Sequence, residues 1–139
     1  MSDVNIAVLV TLDSKDAAAA YISGVLKEAG ATSWIIDMSL KPHDKTGADV
    51  SGSQIAERSG SSWEALAGME RAGAAETMIK GGIKTLNEKF DQGEIDGVIG
   101  VGGANGCTVF CSMMRSLPPL FPKIMVTPVA ATTAVQWYV

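Results

Sequence analysis

Val4 to Val10, VNIAVLV, is a near-continuous apolar run, the pattern of a strand covered on both faces. Thr11-Leu12-Asp13-Ser14-Lys15 turns into an alanine-rich helix, in which Ala18, Tyr21, Ile22, Val25, Leu26 and Ala29 fall at helical spacing. Gly30 is a fitting stop. A second strand, Ser33 to Met38, follows within two or three residues. Such a βαβ unit almost obliges a parallel sheet and a right-handed crossover.

Leu40 to Ser62 is polar and carries Gly47, Gly52 and Gly60. It reads as a long surface excursion with a short helical turn around Ser53 to Arg58. From Trp63 a single helix is expected to run to about Gln92, its buried stripe marked by Ala75, Ile79, Ile83, Leu86 and Phe90. Gly68, Gly73, Gly81 and Gly82 fall inside it, each costing about 1 kcal/mol relative to alanine. Two explanations stay open: another backbone approaching closely, in the sheet or across a subunit interface, or a kink near Gly81-Gly82. Strands at Ile95–Val101 and Lys123–Thr127 complete a β-α-β-α-β-α-β order. The expectation is a single α/β domain over residues 1–139. It would be a Rossmann-like, doubly wound parallel sheet of about four strands with helices on both faces.

The third strand runs into Gly102-Gly103-Ala104-Asn105-Gly106-Cys107-Thr108, and Val109 to Leu117 reads as a helix. Strand, glycines and helix in that order make a phosphate cradle. Glycines let the backbone approach the ligand, and the helix start presents unpaired N–H groups and about half a positive charge. Ligands in open α/β sheets bind at the carboxyl ends of strands where chain order reverses. With strands 1 and 3 as central neighbours, Thr11 to Lys15 would face Gly102 to Thr108 across one crevice, with Thr127-Pro128 beyond. Lys15 either offsets phosphate charge or is a solvated surface lysine, and Thr11 and Ser14 supply hydroxyls. Asp13 either holds Mg²⁺ through water or caps the helix. Asp37, at the end of strand 2, is either a ribose-binding carboxylate or a turn residue. The glycine loop is neither a first-strand Gly-x-Gly-x-x-Gly nor a Walker A motif, so tight turning alone is the competing account.

No hydrolytic triad can be assembled, and the question of an enzyme stays open. The only histidine, His43, is expected in solvent. Cys107 and Cys111 lie four apart and are expected as buried, reduced thiols, not as metal ligands or a disulfide. A net charge of −4 argues against binding nucleic acid or an anionic membrane surface. The start, Met1-Ser2-Asp3-Val4, lacks signal-peptide character, and no apolar run reaches membrane-spanning length, so a cytoplasmic location is expected. Gln136-Trp137-Tyr138-Val139 is an apolar, aromatic finish, which suggests docking onto a partner or a longer parent.

Val8 to Lys15, Asp96 to Gly103, Met114 to Pro118 and Pro122 to Val126 together resemble the N-terminal part of the Tm-1-like ATP-binding proteins. These are also catalogued as the UPF0261 family. The resemblance implies a Rossmann-like region that binds ATP, through Thr11 to Lys15 and through Gly102, Gly103 and Gly106. It further implies a TIM-barrel-like domain that this chain lacks, carried on a longer or separate polypeptide. A Ser-Gly-Gly-Thr or Ser-Gln-Gly-Thr sequence is common in the family after the paired glycines, where this chain has Ala104-Asn105-Gly106-Cys107. The backbone is left to hold the phosphates. A nucleotide-binding module is the leading expectation. An assembly subunit forming a homo-oligomer, or half of a two-part enzyme, is the alternative.

Overall fold

The computed structural model describes residues 3–137, the side chain of Trp137 excepted. Four strands, β1 (Val4–Val10), β2 (Ala31–Asp37), β3 (Gly97–Val101) and β4 (Lys123–Val126), form one parallel sheet in the order β2-β1-β3-β4. The chain order reverses between β1 and β3, as the placement of the two loops required. Helix α1 (Leu12–Glu28) joins β1 to β2. Then α2 (Gly52–Arg58), α3 (Trp63–Ala67) and α4 (Arg71–Asp91) join β2 to β3, and α5 (Ala104–Met114) joins β3 to β4. Right-handed crossovers explain the layers. The step from β1 to β2 runs opposite to the steps from β2 to β3 and from β3 to β4, so α1 lies on one face and the other helices on the opposite one.

Alternation along the strands feeds two cores. Val8, Val10 and Ile35 meet Leu12, Ala19, Ile22 and Leu26 beneath α1. Ala7, Leu9, Ile36 and Val98 meet Ile55, Met78, Leu86, Phe110 and Met113 on the opposite face. A third cluster joins Cys107 and Cys111 of α5 to Val129, Met125 and Ala134, which brings the segment after β4 onto the domain. Tyr138 and Val139, half of the aromatic finish, lie outside the described residues.

The single helix expected from Trp63 to Gln92 is two helices. Ser62 caps α3 through its side chain, α3 stops at Gly68, and α4 starts anew after Glu70. No kink falls at Gly81-Gly82, because other groups press on α4 there. A Cβ on Gly81 would stand 2.1 Å from the carbonyl oxygen of Ile55 in α2, and one on Gly82 would stand 2.7 Å from Met113 Cε. Close approach inside the domain is what these two glycines serve. The stripe also turns by one residue: Ala74, Met78, Gly81, Gly82, Thr85, Leu86 and Lys89 are buried, whereas Ala75, Ile79, Ile83 and Phe90 flank them. Helix α4 is wedged between α2 and α5 and buries a broader face than one apolar stripe indicates.

The excursion after β2 is held in place. Val50 makes a parallel bridge to Ile36, and Ser51 forms a reciprocal capping box with Gln54 at the start of α2.

Candidate functional site

A cavity of about 830 Å³ opens at the carboxyl ends of β1, β2 and β3. That size falls within the roughly 300–1,000 Å³ of small-molecule sites. Two strand-to-helix junctions face each other across it. Thr11, Asp13, Ser14 and Lys15 come from the first, and Gly102, Gly103, Ala104, Asn105, Gly106 and Thr108 from the second.

At the first junction the helix does not start smoothly. Lys15, at φ −126° and ψ 24°, separates the opening turn from the rest of α1. Its N–H bonds Thr11 O at 2.8 Å, and the Thr11 and Ser14 hydroxyls lie 3.3 Å apart. The opening amides are capped from another element: Leu12 N–H donates to Asp37 Oδ1 at 3.1 Å, and Asp13 N–H donates to Ser39 Oγ at 3.2 Å. So Asp13 is not the cap; its carboxylate lines the cavity.

At the second junction α5 starts at Ala104, five residues before the expected Val109. The loop itself shrinks to Gly102-Gly103, and Asn105 to Thr108 are helical. Gly103 occupies the N-cap position, and among the described residues no side chain hydrogen-bonds the first-turn amides. Gly102 permits a tight crossing, since a Cβ there would meet Gly106 Cα at 3.1 Å and Phe110 Cε2 at 3.3 Å.

Three expected site residues stand elsewhere. Asp37 is 1% exposed and does not line the cavity. Its Oδ1 accepts from Leu12 N–H, from Ser39 N–H at 3.0 Å and from Ser39 Oγ–H at 2.6 Å, and its Oδ2 faces His43 Nε2 at 2.6 Å. Cys107 is buried on the far side of α5, 3.7 Å from the Cys111 sulfur, and both are free thiols. Burial, with Cys107 beside it, pushes the Cys111 thiol up to about 11. Thr127 caps the short 3₁₀ turn Pro128–Ala131 by accepting from Val129 N–H.

His43 corrects the expectation of a solvated loop residue: its side chain is 9% exposed and its ring centroid lies 5.1 Å from that of Trp63. Its Nδ1 accepts Lys45 N–H at 2.9 Å, so Nε2 carries the proton directed at Asp37. The excursion is pinned again at Lys45, whose ammonium lies 3.2 Å from Asp16 and holds that carboxyl below its usual range.

Two cations on the lining belong to none of the sequence motifs. Lys41, just past β2, and Arg71, the first residue of α4, join Lys15 on the lining, and Asp13 is the one carboxylate there. Among the described residues no carboxylate lies within ion-pair distance of these three cations. Met38, Leu40, Leu66, Met69, Val109 and Phe110 give the cavity an apolar side. Arg71 reaches the lining because α4 starts anew after Glu70, a break that the helical periodicity does not mark.

The fold and the cavity together define a parallel α/β domain with a switch-point crevice lined by cationic, polar and apolar side chains. Residues 4–139 match the Uncharacterised protein family (UPF0261) N-terminal domain, and the chain belongs to that family. It is 29% identical to a UPF0261 protein of Clostridium tetani over 127 residues, 91% of this chain and 31% of the relative. A UPF0261 protein of Mesorhizobium japonicum is 30% identical over 125 residues, covering 89% of this chain and 30% of the relative. One of Brucella melitensis is 27% identical over 127 residues, 90% of this chain and 30% of the relative. The chain thus spans about a third of the length of these relatives. Among the described residues, no helix is long and apolar enough to cross a membrane.

Proposed function

We propose that this domain binds an adenine nucleotide, ATP, in the crevice between the β1–α1 and β3–α5 junctions. The uncapped first turn of α5 carries the reading. Its amides open onto the cavity beneath Gly103, where an anionic group can accept from them and meet the positive end of the helix. Lys15, Lys41 and Arg71 supply positive charge in a chain of net charge −4. The apolar side formed by Leu40, Leu66, Met69 and Val109 suits a flat base. A Mg²⁺ travelling with the phosphates would find the Asp13 carboxylate on the lining.

The test is a thermal-shift and amide-NMR titration of the chain with ATP. ATP should raise the melting midpoint and move the amide signals of Gly102 to Thr108; no change at millimolar ATP overturns the reading. Gly103→Asp sharpens it. A Cβ at Gly103 meets nothing within 4 Å, and an aspartate N-cap would occupy the same amides. This variant should be more stable by a few tenths of a kcal/mol and bind ATP at least tenfold more weakly.

A further inference from the structure

On the face that carries α1, cover fails across the sheet. Val8, Ile99 and Ile124 form one cross-strand row on that face, fully buried at Val8, half-buried at Ile99 and 57% exposed at Ile124. Two residues further along the strands cover falls off in the same way: Val10 of β1 is buried, Val101 of β3 is half-buried, and its partner Val126 of β4 is 52% exposed. On the opposite face the row Leu9, Gly100, Met125 stays covered as far as β4. Helix α1 bounds the bare half. Its Ser23 flank leans toward β2, where the Ser23 and Ser33 hydroxyls lie 2.8 Å apart. Ala18, Tyr21 and Val25 therefore fall on the flank turned away from β2, with Tyr21 74% and Val25 46% exposed. Together a sheet floor and a helix flank make one apolar trough along α1.

Parallel sheets are covered on both faces, and by helices. The right-handed crossovers commit α2 to α5 to the far face, so no described helix is free to fill this trough. In the curated relatives, more than two thirds of the protein lies outside the stretch this domain matches, and the match is to the N-terminal domain. We infer that the trough over β3 and β4 seats an amphipathic helix belonging to the polypeptide that, in those relatives, follows the N-terminal domain. It would lie beside α1 with its apolar face on Ile99, Val101, Ile124 and Val126. A second copy of this domain fits less well, because a flat face-to-face contact would leave the α1 flank unused.

The experiment places a photo-crosslinking phenylalanine analogue at Val126, at Tyr21, and at Glu57 on the exposed side of α2, in the source cell. Cross-linked peptides are then identified by mass spectrometry. The expected result is a cross-link from positions 126 and 21, absent from 57, to a sequence homologous to the C-terminal two thirds of the UPF0261 relatives, on the same chain or on a separate one. Tyr21→Glu, an exposed change that leaves the core alone, should cut the yield at position 126 at least fivefold while the melting midpoint holds. Cross-links between two copies of this chain, no cross-link, or equal yield from Glu57 would each overturn the inference. None of these outcomes depends on nucleotide binding.

Discussion

Asp37 shows how one side chain can join three parts of a fold. It ends β2, caps the start of α1 through Leu12 N–H, and anchors the excursion through His43. Asn at this position would present an amide N–H to the protonated His43 Nε2, and that nitrogen cannot hand over its proton while Nδ1 accepts Lys45 N–H. Asp37→Asn should therefore cost about 3 kcal/mol in urea unfolding and raise amide exchange across residues 40–50. Cys111 is the reverse case, a group kept idle. Its folded pKa lies above the ordinary thiol value, so the stability tied to it is complete below about pH 9. That stability is lost as pH climbs through about 11. Iodoacetamide at pH 8 should label native Cys111 far more slowly than the unfolded thiol.

Among the elements, α4 separates two uses of glycine that look alike in sequence. Gly81→Ala would drive a Cβ into the Ile55 carbonyl and push α2 off α4, costing about 3 kcal/mol. Gly73 has open space around its Cβ position, so Gly73→Ala should stabilise by about 0.5 kcal/mol. Paired thermal denaturation of the two variants checks the contrast, and equal effects would refute it. The break at Gly68 is as consequential, because restarting the helix at Arg71 aims a fresh turn at the crevice. Helical periodicity continues across that break, so the pattern alone read it as one helix.

In the whole molecule, the crevice is a product of convergence. Lys15 follows β1, Lys41 follows β2, and Arg71 opens α4; the sheet order brings all three to one mouth. Lys41→Ala and Arg71→Ala should each weaken ATP binding roughly tenfold, about 1.4 kcal/mol, with little change in melting midpoint. Because these cations are exposed, affinity should also fall as salt rises. Isothermal titration at two ionic strengths measures both effects.

Local patterns carried the parallel sheet, the helix on each crossover, the switch point between β1 and β3, and the two facing junctions. Apolar runs, turn residues and chain order are near-neighbour properties, and handedness does the rest. Side-chain partnership was another matter. Asp37 was drawn toward the ligand by its place at a strand end, and only the folded chain showed its oxygens spent on Leu12, Ser39 and His43. Likewise His43 looked solvated because the excursion is polar, and nothing in the sequence set Lys41 and Arg71 apart from other charged residues. Such pairings join residues far apart in sequence, and only tertiary structure decides which distant groups meet.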